Sequence, residues 1–371
     1  RLILRARRRK LLVSLALSCT AVQLGCTRSD ERKLEGEAPE PEAVEASPVE
    51  TPDKTAQSLN EGVEPQVTGQ QDLSLTDPET KRKIGLRVRL PQERTPTGLI
   101  LYSPGLGSGV SNGAAWCEAW RRAGFVVVTL AHPVTDDSLW NTKKQSFKAN
   151  LNDALAAQQY GLRVKDCSFV ITQCLKHPDI APYVDPERIG IAGHSYGALT
   201  VQSIAGQPLG GQDVHDPRIK AAIALSPSAV SAERAKGMSK VQIPFFSITG
   251  DHDNYVTFTD KSESMRLGLP LANRRLVNEY VPAGLKQLAV FEQADHMSFA
   301  GEPINAKHFS RDLKNITPQS EQALWTRVSE VTTAFWNYYL ASGYKPDADK
   351  RAEYQQATLK LKSEKDQLTF G

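Results

Sequence analysis

Strand-like and helix-like segments alternate along most of the chain. Runs rich in apolar and β-branched residues predict strands at residues 83–90, 98–104, 125–130, 188–192, 219–225, 243–249 and 288–291. Apolar residues at helical spacing predict helices at residues 111–122, 151–177 and 321–340, and from residue 198 onward. Strands that alternate with helices favour a mostly parallel sheet covered by helices on both faces, which is an α/β fold.

Two tryptophans and three cysteines are expected in the core. Trp116 and Trp120 lie four residues apart on one face of a predicted helix, a spacing that favours packing over ligand binding. Cys117, Cys167 and Cys174 lack the spacing of metal ligands, and the last two are roughly 10 Å apart along a helix, too far for a disulfide. We therefore expect three buried free cysteines, with a disulfide from Cys117 to one of the others as the alternative.

A serine lies at the apex of a predicted strand–turn–helix unit. The strand at residues 188–192 runs into Gly193-His194-Ser195-Tyr196-Gly197, and helix-compatible residues follow. Glycines two positions before and after a serine permit the strained backbone that such a sharp turn requires. The helix after the turn directs N–H groups and a partial positive charge towards the serine. This context predicts a nucleophile elbow with Ser195 as the nucleophile.

An acid is expected after the strand at residues 243–249, because sites of this kind use the chain order serine, acid, histidine. Gly250-Asp251-His252-Asp253 follows that strand. Asp253 is favoured because the glycine three residues before it turns the chain and the acid then points back over the sheet. Asp251, the alternative, is expected to cap the turn.

The base is expected after the strand at residues 288–291. Asp295-His296-Met297 follows this strand, so His296 lies at a strand end, as Ser195 and Asp253 do. Carboxyl ends of parallel strands meet at one edge of the sheet, which is where open α/β sheets bind ligands. His308 is the main alternative base, and His252 and His215 are further ones.

A glycine-rich loop follows the strand at residues 98–104. Gly105-Leu106-Gly107-Ser108-Gly109 suits phosphate binding, but the lysine of a P-loop is missing. In a serine hydrolase the loop in this position donates an N–H group to the oxyanion. His132 follows the strand at residues 125–130, where it lines the substrate mouth or, as we favour, is a structural loop residue.

The chain has 371 residues, enough for one large α/β domain with extensions. Its formal net charge of +3 is unevenly placed, because six of the 45 basic residues precede residue 11. Without residues 1–25 the chain carries 39 basic and 42 acidic residues. A nucleic-acid partner is therefore not expected.

The first 25 residues are predicted to be an export signal. Basic residues precede Leu11–Leu17, an apolar run too short to span a bilayer. The signal ends at Gly25-Cys26, which resembles a bacterial lipobox, although Gln23 stands where that pattern usually has leucine. We expect a lipidated Cys26 and a membrane-anchored lipoprotein that faces the periplasm or the cell exterior. Plain cleavage and an uncleaved anchor are the alternatives.

Composition divides the remaining chain into three parts. Residues 26–71 are rich in Glu, Pro, Ser and Thr and nearly free of large apolar side chains, so they are expected to form a disordered tether. Residues 72–342 are predicted to form the catalytic domain. Residues 343–371 are predicted to be a charged, peripheral C-terminal tail.

Four of these segments together resemble a known family. Ser103–Ser108, Asp185–Gly197, Thr249–Asp253 and Ala294–Phe299 are similar to bacterial α/β-hydrolases of the dienelactone-hydrolase-like and platelet-activating-factor-acetylhydrolase-like group. The elbow segment is shared across the whole superfamily, and its combination with the Ser-Pro-Gly-Leu-Gly loop is more specific. The resemblance implies the α/β-hydrolase fold over roughly residues 80–340.

The resemblance also implies roles for five residues. Ser195 would be the nucleophile, Asp253 the acid and His296 the base, and the backbone N–H groups of Leu106 and Tyr196 would form the oxyanion hole. True dienelactone hydrolases carry cysteine as the nucleophile, so a serine favours ester hydrolysis over that substrate.

The predicted function is that of a serine hydrolase that cleaves a small carboxylic ester or a phospholipid-like substrate, with no metal or organic cofactor. Short acyl chains are expected, because no segment between residues 226 and 243 or after residue 206 has the length and apolar content of a lipase lid. Loops such as residues 132–150 and 227–240 are expected to form the acyl and alcohol pockets. Peptidase or thioesterase activity, and a non-catalytic binding protein on the same scaffold, are the alternatives.

Overall fold

The computed structural model describes residues 69–261, 263–311, 313 and 316–371. The predicted export signal, Cys26 and nearly all of the predicted tether lie outside the described residues. Within the described part of the chain, no helix is both long and apolar enough to cross a bilayer.

Twelve strands occur in the described residues, and they form two sheets. The strands are β1 (Gln70–Thr76), β2 (Lys83–Arg89), β3 (Thr97–Ser103), β4 (Val126–Ala131), β5 (Val184–His194), β6 (Ile219–Leu225), β7 (Phe245–His252), β8 (Tyr255–Asp260), β9 (Glu263–Gly268), β10 (Lys286–Asp295), β11 (Phe309–Ser310) and β12 (Gln367–Phe370). The large sheet has the order β1-β2-β4-β3-β5-β6-β7-β10-β12, and the small one the order β11-β8-β9. Strands β4 to β10 of the large sheet are parallel, and only its edges are antiparallel. The predicted mostly parallel sheet is confirmed.

Helices cover both faces of the large sheet, as predicted. The α-helices are α1 (Ala114–Arg122), α2 (Phe147–Leu155), α3 (Ala157–Cys174), α4 (Tyr196–Ile204), α5 (Ala232–Lys236), α6 (Leu271–Glu279), α7 (Pro318–Tyr339) and α8 (Ala348–Leu359). Successive strand residues point to opposite faces, so Leu99 and Leu101 of β3 join one apolar core while Ile100 and Tyr102 join the other. The first core contains residues of α3, α4 and α6, and the second contains residues of α1 and α7.

Two segments differ from their predicted form. The helix expected over residues 151–177 is two helices, because Ala156 has an extended backbone (φ −58°, ψ 138°) that ends α2 before α3 begins. Residues assigned to the charged tail form α8 and β12, and β12 pairs with β10 at the sheet edge. Aromatic residues among the charges hold this segment, since the rings of Tyr354 and Tyr338 stack with centroids 4.6 Å apart.

The expected core residues are buried. Trp116 and Trp120 project from α1 into the second core, and the apolar stripe of α7 faces the same core. Cys117, Cys167 and Cys174 are buried and free, as predicted. Burial raises the pKa of the Cys117 thiol to about 11, so it stays protonated at neutral pH.

Candidate active site

Ser195 occupies a sharp turn between β5 and α4. Its backbone has φ 55° and ψ −112°, a strained conformation for a residue with a side chain. Two neighbouring glycines make the turn possible, because a Cβ at Gly197 would overlap the carbonyl oxygen of Ser103, and one at Gly193 would lie 2.7 Å from it. The side chain of Ser195 stays partly exposed beside the carboxyl ends of the strands.

His296 contacts both Ser195 and Asp253, although the three residues are far apart in the sequence. His296 is 101 positions from Ser195 and 43 positions from Asp253. The Nε2 atom of His296 is 2.8 Å from the Ser195 hydroxyl oxygen, and its Nδ1 atom is 2.9 Å from Asp253 Oδ1. Asp253 directly follows β7, and His296 directly follows β10, so two adjacent parallel strands deliver both side chains to one edge. The predicted trio is therefore brought together.

The short helix after β10, His296–Ala300, is held at its start by hydrogen bonds and an ion pair. Asp295 caps it by accepting the N–H of Ser298, and the side chain of Ser298 bonds back to the N–H of Asp295. Arg311 then forms an ion pair with Asp295 at 2.9 Å. A capped and paired turn fixes the start of the helix, which is where His296 stands.

Arg274 of α6 is a buried neighbour of the trio that sequence reasoning missed. Its Nε atom lies 3.2 Å from Asp253 Oδ1, and its Nη2 atom lies 3.1 Å from His296 Nδ1. Burial alone would raise the pKa of Asp253, but the charge of Arg274 and the hydrogen bond with His296 outweigh it and hold that pKa well below its ordinary value. The sequence carries only a weak signal for a role of Arg274: it lies three residues before Val277, on the face of α6 that is buried.

Arg274 and Asp253 compete for the same ring nitrogen of His296. A guanidinium can only donate, so it favours a bare Nδ1, whereas a carboxylate favours an Nδ1 that carries hydrogen. Only the second tautomer leaves Nε2 free to accept the hydrogen of Ser195. Asp253 is ionised over the whole neutral range. Thr249 donates to the other carboxylate oxygen at 2.8 Å and so fixes the orientation of the carboxylate. The carboxylate therefore favours the second tautomer, in which it accepts the hydrogen on Nδ1.

The two residues predicted to form the oxyanion hole, Leu106 and Tyr196, belong to segments that adjoin the Ser195 turn. Tyr196 is the first residue of α4, so its N–H group has no acceptor within the helix. Leu106 belongs to the loop after β3, and a Cβ at the preceding Gly105 would lie 3.7 Å from Ser195 Cβ, so this loop contacts the turn. Gly107 N–H donates to the Thr135 carbonyl at 2.9 Å and so fixes the loop's conformation.

The other candidates for acid and base lie elsewhere. Asp251 pairs with the adjacent ring of His252 at 2.7 Å, and both are partly or fully exposed. His215 is exposed on a loop before β6. His308 stacks on the Trp140 ring with centroids 4.1 Å apart. Within the described residues, none of these four forms a hydrogen bond or ion pair with the side chain of His296 or Ser195.

His132 belongs to a second array, fully buried beneath the loop that carries Leu106. Its Nε2 atom is 3.0 Å from the hydroxyl oxygen of Ser103, and its Nδ1 atom is 2.9 Å from Asp166 Oδ2. Arg82 forms a bidentate ion pair with Asp166. His132 is 1% exposed, so it is a structural residue rather than part of the substrate mouth. Burial, helped by the charge of Arg163, lowers the pKa of His132 to about 4.

Apolar side chains from other segments pack against the candidate site. Leu106 and Met297 share an apolar cluster with Leu139, Phe147, Leu151, Ala154, Val256, Phe258 and Ala300. Trp140 donates its indole N–H to the Gly107 carbonyl at 2.8 Å. Part of the segment at residues 132–150 therefore packs against the loop that carries Leu106, whereas residues 227–240 contribute to the first core.

The arrangement of these elements identifies the fold. A serine on a strained strand-to-helix turn stands at the carboxyl edge of a mostly parallel sheet, followed along the chain by an acid and a histidine at later strand ends. The chain has the α/β-hydrolase fold. Among the described residues, no group of three or more histidine, cysteine, aspartate and glutamate side chains could hold a metal ion.

Two solved structures are similar to this chain at low sequence identity. One is a 2,6-dihydroxy-pseudo-oxynicotine hydrolase, with a TM-score of 0.48 and 16% identity over 75% of this chain and 70% of that chain. The other is a dienelactone hydrolase from Anabaena variabilis, with a TM-score of 0.47 and 14% identity over 73% of this chain and 99% of that chain. No protein-family model and no curated protein matches the sequence.

Proposed function

We propose that this protein is a serine hydrolase that cleaves carboxylic esters. The observation that carries the proposal is the 2.8 Å contact between His296 Nε2 and the hydroxyl of a serine held at φ 55°. Strain of this kind is characteristic of functional positions. The neighbouring Asp253 carboxylate and two N–H groups supply the remaining parts of an acyl-transfer site.

The proposed reaction begins when His296 Nε2 accepts the hydroxyl proton as Ser195 Oγ attacks the ester carbonyl carbon. The carbonyl oxygen becomes an oxyanion that the Leu106 and Tyr196 N–H groups stabilise. Asp253 stabilises the imidazolium that forms. The carbon–oxygen bond to the alcohol then breaks, and His296 gives its proton to the leaving alkoxide.

Water completes the cycle. His296 accepts a proton from a water molecule that attacks the acyl-enzyme carbonyl, and the returning proton releases Ser195 and a carboxylic acid. Every proton and electron pair is handled by this chain, the ester and water. The proposed reaction therefore needs no metal or organic cofactor.

The substrate is proposed to be a small ester with a short acyl chain. Leu139, Phe147 and Leu151 beside the site are at most 2% exposed. They already fill the apolar cluster around Leu106, so a long acyl chain would have to displace packed side chains. Turnover of p-nitrophenyl acetate and butyrate should exceed that of the decanoate and palmitate. Faster turnover of the long-chain esters would contradict the short-chain proposal.

A fluorophosphonate probe tests the reaction class, because it labels only an activated serine. The wild-type protein should be labelled, and Ser195→Ala should not. A folded wild-type protein that remains unlabelled would favour a binding protein on this scaffold. Parallel assays with a thioester and a peptide amide of the same acyl group compare the thioesterase and peptidase alternatives, both of which we expect to be slower than ester hydrolysis.

The location is proposed to be the outer face of a membrane, through lipidation of Cys26. Its support is the basic leader, the short apolar run and Gly25-Cys26 in the sequence. Two or more acyl chains would give stable anchoring where one would be marginal. Mass spectrometry of the native protein should find a lipidated N-terminus at Cys26. An unlipidated N-terminus, or retention of residues before it, would contradict the proposal.

A further inference from the structure

Arg163 of α3 is a buried cation beside the proposed oxyanion hole. It is 1% exposed, and its guanidinium donates to neutral acceptors: Thr200 Oγ1 at 3.1 Å, Thr135 Oγ1 at 2.6 Å, Ser103 Oγ at 3.0 Å and the Pro104 carbonyl at 2.5 Å. Among the carboxylates that the structure describes, none forms an ion pair with it. Burial lowers the pKa of Arg163 to about 10, so it remains charged at neutral pH.

The acceptors of Arg163 lie on both sides of the proposed oxyanion hole. Pro104 stands two residues before Leu106, on the loop after β3. Thr200 stands one turn after Tyr196 in α4, and the Tyr196 ring centroid is 4.7 Å from the guanidinium carbon. Arg163 thus ties the loop that carries one N–H group to the helix that carries the other.

We propose that Arg163 is a positioning residue for the hydrolysis, and this rests on the function proposed above. It holds the Leu106 and Tyr196 N–H groups at a fixed separation, and its charge favours the oxyanion. A buried charge without an ion-pair partner is costly to a folded protein, and Asp166 favours the charge of Arg163 only from beyond ion-pair distance. Negative charge that develops on the substrate carbonyl during attack would add a second counter-charge. A positive charge that is already fixed in place requires no reorganisation at that moment.

The test compares substrate binding with binding of a tetrahedral adduct. A trifluoromethyl ketone forms a hemiketal with an activated serine, so its inhibition constant reports on the oxyanion hole. In Arg163→Met, kcat should fall roughly 10- to 100-fold and the inhibition constant should rise in parallel, while KM changes by less than about threefold. Arg163→Lys keeps the charge but reaches fewer acceptors, so it should fall between Arg163→Met and the wild type.

Arg218→Met is the matched control. Arg218 also anchors α3, through the Ser168 carbonyl at 2.9 Å and Thr172 Oγ1 at 2.8 Å, but it stands at the start of β6, the end of the strand away from the candidate site. Losing it should lower thermal stability without changing the ketone inhibition constant. This variant separates a general loss of packing from a specific loss at the oxyanion hole.

The following outcomes decide the proposal. If Arg163→Met does not fold, an inhibition constant that rises more than KM in folded Arg163→Lys still supports it. Wild-type values of kcat and of the inhibition constant in folded variants would overturn it, and so would a rise of KM as large as the rise of the inhibition constant. If a fluorophosphonate labels the wild-type protein but the Arg163 variants keep wild-type kinetics, only this inference is overturned. Unlabelled wild-type protein overturns the proposed function and this inference with it.

Discussion

The protein contains two arrays of serine, histidine and aspartate with nearly the same distances. In the candidate active site, His296 is 2.8 Å from Ser195 and 2.9 Å from Asp253. Beneath the neighbouring loop, His132 is 3.0 Å from Ser103 and 2.9 Å from Asp166. Hydrogen-bond geometry does not distinguish them.

Their surroundings do distinguish them. Ser195 is partly exposed on a strained turn at the start of α4, whereas Ser103 is 0% exposed at the end of β3. The hydroxyl oxygen of Ser103 also accepts from Arg163 at 3.0 Å. A lone pair engaged by a cation is a poorer nucleophile, and a buried one meets no substrate. The comparison teaches that exposure and backbone strain distinguish Ser195 as the candidate nucleophile, and that a nearby histidine and acid do not suffice.

The strongest test of this comparison removes each serine hydroxyl. Ser195→Ala should lower kcat by roughly 10⁶-fold, because the members of such a site act as a unit. Ser103→Ala should keep kcat within roughly tenfold and lose about 1–3 kcal/mol of unfolding free energy, since it leaves His132 Nε2 buried without its hydrogen-bond partner. Ester hydrolysis and urea unfolding of both variants measure these effects. Loss of fluorophosphonate labelling in Ser103→Ala alone would exchange the two assignments.

The acids should separate the arrays next. Asp253→Asn should lower kcat by roughly 10⁴-fold while folding normally, because the imidazole loses its orienting charge. Asp166→Asn should instead lower the unfolding free energy by about 3–5 kcal/mol, since Arg82 then stays buried without a counter-ion. Steady-state kinetics on the folded fraction, with thermal unfolding, separates the two effects.

Asp251→Asn is the control for that comparison. Its carboxylate is partly exposed, and in the described part of the chain its side-chain oxygens contact the His252 ring and the Ala294 N–H group, so kcat should stay near that of the wild type. A larger loss of kcat in Asp251→Asn than in Asp253→Asn would reverse the assignment of the acid.

The smallest expected effect concerns pH and the buried histidine. The pKa of His132 is about 4 in the folded protein, against an ordinary value of 6.5. Below pH 6.5 the unfolded chain therefore binds a proton that the folded protein excludes, and the unfolding free energy falls as pH falls. The loss should be about 1.4 kcal/mol per pH unit, or about 2 kcal/mol from this group at pH 5.

Urea unfolding at pH 7, 6 and 5 measures that slope. His132→Gln should be less stable at pH 7 but should show a shallower decline towards pH 5. His215→Asn changes an exposed histidine and should keep the wild-type slope. An unchanged slope in His132→Gln would mean that this buried ring does not govern acid sensitivity.

Local patterns in the sequence determined the fold class and the position of the proposed nucleophile. The period of apolar residues distinguishes strands from helices without reference to distant residues. The turn at Ser195 is also local, because its glycines lie two positions away on each side. The expected order of serine, acid and histidine narrowed the partners to a few residues after two later strands. That order placed Asp253 and His296 where the structure brings them together with Ser195.

Tertiary structure alone decided which side chains face one another. Asp251 and Asp253 are two residues apart, and only the register of β7 against β10 places the second of them against His296. Arg274 and Arg163 reach the site from α6 and α3, and no short spacing in the sequence links either of them to Ser195. β12 joins the sheet through backbone pairing with β10, which depends on chain path rather than on hydropathy. Periodicity is a property of neighbours in sequence, whereas these contacts join segments that meet only after the sheet has formed.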